Sequence, residues 1–254
     1  MRGNEMQAIY VMWLRQMKRF IRSRSRLISM IVQPLFFLFI LGSGFRQVQM
    51  PGLEGAYLPF FAPGIVAMAI LFSSMFTGVS ILWDKQFGFL QEVLVAPIGR
   101  LSIVVGRTLG GATTALIQGF IILVISFALG VNPVNLFGLL LAIIFMILIA
   151  FSAVGFGLVI ASKMNDFQGF QLIMNLILFP LLFLSSAFFP VKADATLRTI
   201  SFLNPLFYMV DGLRGSLIGI ENSVLPPSID LIVVLIICVT MMGLGSYSFS
   251  KSEV

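Results

Sequence analysis

The sequence contains no histidine and only one cysteine, Cys238. Without histidine there is no imidazole metal ligand and no His-based general acid or base. A single cysteine excludes an intramolecular disulfide and a thiolate zinc site. The nearest match to a phosphate-binding P-loop, residues 245–252, has Ser250 where the second glycine is needed. We therefore expect a non-catalytic chain that itself binds no metal, cofactor or nucleotide.

Charge is also scarce. Charged residues make up 10% of the 254 positions and hydrophobic residues 59%, against about 25% charged residues in an ordinary soluble domain. The mean hydropathy is +1.05. A soluble globule needs more charge to cover its surface, and a disordered chain lacks the 26 phenylalanines found here. The composition therefore predicts a chain that lies mostly in lipid.

The net charge of +6 could suggest nucleic acid as a partner, but seven of the 16 Lys and Arg residues lie in residues 1–26, before the first apolar run. This placement marks the cytoplasmic side of a membrane protein. It favours membrane lipid as a partner and predicts no binding to nucleic acid.

Six apolar runs are long enough to cross a bilayer, which takes about 20 residues. We predict an all-α membrane protein with spans at Leu27–Gly44, Leu58–Leu82, Thr108–Leu129, Leu136–Ile160, Phe170–Phe189 and Ile229–Phe249. With both termini inside, the inner segments hold 12 Lys and Arg and the outer segments four. This bias predicts an N-in, C-in topology. A cleaved signal peptide within residues 1–44 is the competing interpretation.

Three segments outside the spans are informative. Residues 5–22 place most apolar side chains on one helical arc and Arg15, Lys18, Arg19 and Arg22 on the other, as in a helix at the membrane interface. The cytoplasmic segment 83–107 carries apolar side chains that need covering, either by a docked partner or by the bundle itself. The outer segment 190–228 predicts one or two short re-entrant helices, with a seventh span as the alternative. We find no linker that divides residues 1–254 into separate domains.

The run from Trp83 to Arg100, continuing to Gly106–Gly111, resembles the cytoplasmic loop of type-2 ABC exporter permeases, and is most similar to the daunorubicin-resistance, multidrug type. The segment Asn204–Arg214 resembles the part of that family before the last span. The similarity covers essentially the whole chain.

The resemblance implies a homodimer or close heterodimer, each copy bound to a separate ATPase subunit that carries ATP and Mg²⁺. Docking would use a coupling helix, here with Phe87, Leu90, Gln91, Glu92, Leu94 and Arg100. Spans one, two and five would line the substrate path, here with Gln33, Phe36, Phe37, Phe72, Phe76, Asn175, Phe179 and Phe183. The re-entrant helices would form an outer gate, here with Phe188, Phe189, Phe202 and Phe207.

The function expected from these observations is outward movement of an amphipathic substrate (a drug, lipid, glycolipid or polysaccharide) across the plasma membrane of a prokaryote. A stand-alone secondary carrier or channel is the alternative. The scarcity of charge within the spans weighs against an ion-coupled carrier. The substrate itself is left open by the sequence.

Overall fold

The computed structural model describes residues 2–45, 57–88, 99–192 and 194–251, with side chains for all of these except 2–4, 26 and 100. No β-strand occurs in these ranges. Their α-helices are α1 Arg2–Arg22, α2 Arg24–Gly44, α3 Tyr57–Gln86, α4 Arg100–Ala128, α5 Leu136–Lys163, α6 Phe167–Phe183, α7 Ala195–Phe202, α8 Pro205–Ile218 and α9 Pro227–Lys251. A 3₁₀ turn, Ile220–Asn222, follows α8.

Within the described ranges, five helices are long and apolar enough to cross a membrane: α2 from Leu27, α3, α4 from Leu101, α5 and α9. They correspond to five of the six predicted spans. The sixth, predicted at Phe170–Phe189, is a shorter apolar helix of 17 residues that ends at Phe183. It ends early because the chain turns there, and Ser186 has a left-handed φ of +63°.

The helix boundaries correct the sequence analysis at the predicted loop 83–107. Helix α3 continues through Asp84 to Gln86, and α4 already begins at Arg100. The gap between the two helices is therefore residues 87–99. The apolar runs underestimated both helices because Asp84 and Arg107 pair with each other and can be buried together.

Helix α3 is the centre of the bundle and is almost wholly buried. It packs against α2, α4, α5 and α8, and α9 packs along α5. Two glycines allow this last contact. A methyl group on Gly155 would lie 2.8 Å from the backbone of Met241, and one on Gly245 would lie 2.8 Å from the Gly155 carbonyl. Such close helix packing through small residues is common in membrane bundles.

The helices bring distant segments to the same end of the molecule. Lys85 at the end of α3 donates to Asn165 before α6, and Arg107 near the start of α4 lies over the Phe249 ring near the end of α9. Helix α1 contacts this end as well, through Asp84. We call it the α1 end, and we call the opposite end, which carries α7 and α8, the α8 end.

Helix α1 packs against α4 with a face that combines Ile9 and Trp13 of the predicted apolar arc with Met12 and Gln16. Methyl groups on Gly106 and Gly110 would collide with Met12 and Gln16. Arg15 and Arg19 were expected to point outward to lipid headgroups, but they turn inward to Asp84 because a buried carboxylate needs cations. The exposed apolar positions of α1 include Met6, Tyr10 and Ile21.

The segment 190–228 forms short helices, as predicted. Asp194 caps α7 by accepting from Thr196 N at 2.8 Å, and Asn204 caps α8 by accepting from Leu206 N at 2.9 Å. Pro205 occupies the first position of α8, where a missing N–H costs nothing. Helix α8 is buried against α3, α5 and α9. The segment 190–228 therefore packs into the bundle through α8.

Candidate functional site

One carboxylate and three guanidinium groups meet at the α1 end. Arg15 donates Nη1 and Nη2 to the two Asp84 oxygens at 2.9 and 2.7 Å. Arg19 Nη2 lies 3.1 Å from Asp84 Oδ1, and Arg107 Nη2 lies 2.7 Å from Oδ2. We call these four residues the Asp84 cluster. It joins α1, α3 and α4 immediately before the segment 87–99.

The Asp84 cluster carries a net positive charge, because one carboxylate faces three guanidinium groups that stay protonated. Asp84 and Arg107 are buried, whereas Arg15 and Arg19 are partly exposed. The sequence analysis assigned Asp84 and Arg107 to the segment 83–107 between two spans and missed the cluster. The spacing of polar residues along α3 and α4 could have revealed it.

That spacing forms a polar seam between α3 and α4. Polar or small residues recur at intervals of four, three and four residues, which places each set on one helical face: Ser73, Thr77, Ser80 and Asp84 on α3, and Arg107, Gly111, Thr114 and Gln118 on α4. The faces meet, since a methyl group on Gly111 would lie 2.3 Å from Thr77 Oγ1. Ser73, Thr77, Ser80 and Thr114 also line one small pocket. The seam runs from the Asp84 cluster to Gln118.

Gln118 opens onto a cleft between α2, α3, α4 and α6. The cleft has a volume of about 290 Å³. Its lining combines neutral amides with aromatic rings: Gln33 from α2, Gln118 from α4, Gln171 and Asn175 from α6, and Phe72, Phe76 and Phe179. Phe72 and Phe179 meet edge to face with ring centroids 6.2 Å apart. The cleft therefore offers hydrogen-bonding groups and flat apolar surfaces together.

The structure brings five of the eight predicted substrate-path residues into this cleft: Gln33, Phe72, Phe76, Asn175 and Phe179. Phe36 is 61% exposed and does not line it. Phe37 and Phe183 instead contact Phe188, with ring centroids 6.2 and 5.1 Å apart. Gln118 and Gln171 also line the cleft but were not among the predicted path residues. The path assignment stays a prediction.

The four predicted gate residues fall into two separate groups at the α8 end. Phe188 is buried against Phe61 of α3, with ring centroids 5.7 Å apart, and Phe189 beside it is half exposed. Phe202 and Phe207 form an edge-to-face pair, with ring centroids 5.3 Å apart. Their role as a gate also stays a prediction.

Arg214 of α8 connects these elements. Its guanidinium is fully buried and donates Nε to the Phe60 carbonyl at 3.1 Å and Nη1 to Ser186 Oγ at 3.0 Å. Nη2 donates to the Ser186 carbonyl, and the guanidinium carbon lies 3.8 Å from the Phe60 ring centroid. Arg214 therefore holds α8 to α3 and to the turn after α6, with Asp211 3.7 Å away as counter-ion.

Asp230, in the first turn of α9, is a second buried carboxylate at the α8 end, besides Asp211. It has no exposed surface, and neither side-chain oxygen has a hydrogen-bond partner among the described residues. Asp211 differs, because it accepts from the backbone N–H groups of Val224 and Leu225 at 2.8 to 3.0 Å. Asp211 lies in the predicted segment 190–228 and Asp230 at the start of the predicted span Ile229–Phe249, and both carboxylates are buried inside the bundle.

The predicted docking residues lie mostly outside the described residues. This applies to Leu90, Gln91, Glu92 and Leu94, and to the side chain of Arg100. Phe87 is described and is 82% exposed, three residues after Asp84. An exposed aromatic ring thus stands directly beside the Asp84 cluster.

The long apolar helices of the described ranges indicate a multi-pass membrane protein. A family model described as ABC-2 type transporter matches residues 7–218 of the chain. The chain therefore belongs to the ABC-2 type transporter permease family.

Individual relatives are similar to the chain over most of its length. The chain is 30% identical to the transport permease ycf38 of Cyanophora paradoxa over 212 residues, covering 82% of this chain and 73% of the relative. It is 26% identical over 235 residues to the inner membrane transport permease YadH of Escherichia coli K12, covering 91% and 90%. It is 28% identical over 198 residues to nodulation protein J of Rhizobium leguminosarum bv. trifolii, covering 76% and 74%.

Proposed function

We propose that this chain is the membrane-spanning subunit of an ATP-driven exporter in the plasma membrane of a prokaryote. It has six spans with both termini inside, and it moves an amphipathic substrate outward by alternating access. ATP and Mg²⁺ are bound by a separate ATPase subunit. A second permease copy completes the transporter, and α2 and α6, which flank the cleft, supply its interface.

The Asp84 cluster is the observation that carries this proposal. It joins three helices at the point where the segment 87–99 leaves α3. A force applied to that segment by a docked ATPase is therefore passed to α1, α3 and α4 at once. Phe87, exposed beside the cluster, is suited to a hydrophobic contact with the ATPase.

The polar seam and Arg214 extend this connection through the molecule. The seam leads from the cluster along α3 and α4 to Gln118 in the cleft. Arg214 then couples α3 to α8 at the opposite end. A movement of α3 therefore affects the docking end, the cleft and the gate region together, as alternating access requires.

The test is reconstitution of the chain with its ATPase and measurement of ATP-dependent transport. Phe87→Ala, Leu90→Asp and Glu92→Ala are expected to weaken ATPase binding and to reduce transport while the permease still assembles. Phe137→Ala is the matched control, because Phe137 is 75% exposed but lies at the start of α5, at the α8 end. Transport that needs neither ATP nor an ATPase would refute the proposal, and so would unchanged ATPase binding in all three variants.

A further inference from the structure

The cleft contains a buried side chain whose hydrogen-bonding groups are unused. Gln118 is 1% exposed, and neither its amide oxygen nor its amide nitrogen has a hydrogen-bond partner among the described residues. Buried amides are nearly always satisfied, so an exception indicates a missing partner. Gln118 lines the cleft, so the cleft is where that partner can sit.

The other polar groups of the cleft have the same chemistry. Gln33, Gln171 and Asn175 add three amides from α2 and α6, and Ser29 adds a hydroxyl. An amide donates and accepts hydrogen bonds at once, so it pairs well with a hydroxyl or with another amide. Four such side chains on three helices can surround one group that carries several hydroxyls or amides.

The cleft is unsuited to an ionised group. None of the described residues that line it is an Asp, Glu, Lys or Arg. An anion or cation moved there from water would lose its hydration without gaining a counter-ion, and that loss is much larger than for a neutral polar group. The cations of the Asp84 cluster lie at the other end of the seam and are paired with Asp84.

The aromatic side chains specify the remaining surface. Phe72 and Phe76 from α3 and Phe179 from α6 line the same cleft as the amides. Their flat rings suit the apolar faces of a ring-shaped group. The volume of about 290 Å³ accommodates a ring-sized part of a cargo, since complete ligand sites are usually about 300–1,000 Å³.

We propose that this cleft selects the uncharged, hydroxyl- or amide-bearing head of an amphipathic cargo, and that Gln118 is its specificity-determining residue. This inference rests on the proposed transport function, since it names the substrate class of that function.

The test is equilibrium binding to the full-length chain in lipid nanodiscs, without ATP or ATPase. Three radiolabelled probes share a dodecyl chain and differ in the head: dodecyl maltoside, dodecyl phosphate and dodecyltrimethylammonium. Empty nanodiscs correct for partition into lipid. Saturable binding is expected for the maltoside only. Gln118→Leu is expected to weaken it about tenfold, the effect of losing one or two hydrogen bonds to a buried amide.

Two further variants keep the test decisive if Gln118→Leu fails to fold. Asn175→Leu changes a half-buried cleft residue and should also weaken maltoside binding severalfold. Thr240→Val is the control, because the exposed Thr240 hydroxyl on α9 only donates to its own helix at Ile236 O. The proposal is overturned if a charged probe binds as tightly as the maltoside. It is also overturned if both cleft variants bind the maltoside like the wild type, which would mean that the Gln118 amide is satisfied by water.

The assay separates this inference from the proposed function, because binding to the permease alone needs no motor. Maltoside binding without ATP-dependent transport would refute the proposed function and leave the cleft chemistry standing. ATP-dependent transport with no preference among the three heads would refute the cleft chemistry and leave the proposed function standing.

Discussion

The pair formed by Asp84 and Arg107 allows a quantitative test of the packing at the α1 end. Both side chains are almost fully buried, at 4% and 2% exposure. Removing one partner of such a pair costs about 3–5 kcal/mol, because the other charge stays buried and unpaired. The pairs with Arg15 and Arg19 are partly exposed, and each adds less than about 1 kcal/mol. Asp84→Asn is therefore expected to lower the free energy of unfolding by about 3–5 kcal/mol.

The same argument predicts that the two single substitutions differ in their cost to stability. Arg107→Gln leaves Asp84 with two other guanidinium partners, so its cost should be smaller, about 1–3 kcal/mol. The double variant should cost less than the sum of the two, and the coupling energy should be about 1–3 kcal/mol. Denaturant unfolding in mixed micelles, followed by tryptophan fluorescence, measures all four proteins. Glu221→Gln serves as the control for removing a carboxylate, because Glu221 is exposed.

Two results would refute this reasoning. One is a coupling energy below about 0.5 kcal/mol, which would mean that the two side chains do not share a buried environment. The other is an Arg107→Gln cost equal to or above that of Asp84→Asn, which would mean that Arg15 and Arg19 give Asp84 no compensation.

Three further substitutions test the packing elsewhere. Gly64→Ala should lower the free energy of unfolding by about 1–3 kcal/mol, because its methyl group would lie 2.5 Å from the Ala187 carbonyl oxygen. Gly243→Ala is the control and should be neutral, because Gly243 faces open space. An equal change in the free energy of unfolding for both variants would contradict the close contact at Gly64. Asp230→Asn should raise stability by about 1 kcal/mol or more in thermal unfolding, because it removes a buried carboxylate that has no partner among the described residues. A marked loss of stability relative to Glu221→Gln would show that this carboxylate has a partner. Arg214→Lys should lower the free energy of unfolding by about 2–4 kcal/mol in denaturant, because an ammonium cannot reach all three acceptors that the planar guanidinium reaches. An unchanged free energy of unfolding would show that the guanidinium geometry is not needed.

Hydropathy predicted most of the fold because lipid-facing helices must be continuous apolar runs. It failed at Asp84 and Arg107, where helices extend beyond the apolar runs. A hydropathy window treats each charge separately and cannot detect that two charges cancel across a helix contact. It also missed the early end of α6 at Phe183, which depends on a left-handed residue at Ser186 and on its capture by Arg214.

The candidate cleft was partly predictable. Gln33 and Asn175 were among the predicted path residues, and both line the cleft. Phe36 seemed equivalent to the other phenylalanines because composition does not show which side of α2 faces a neighbour. The buried state of Gln118 could not be inferred either, since it depends on how α4 is rotated against α3.

The hydroxyl groups between α3 and α4 have a mechanical consequence. Ser80 Oγ donates to Thr77 O at 2.9 Å, and Thr114 Oγ1 donates to Gly111 O at 2.8 Å, so each is satisfied within its own helix. These two hydroxyls do not tie the helices together, and a shear of one helix along the other would leave their hydrogen bonds intact. The Asp84–Arg107 ion pair at the α1 end does join the two helices, so a shear of α3 along α4 would have to break this pair.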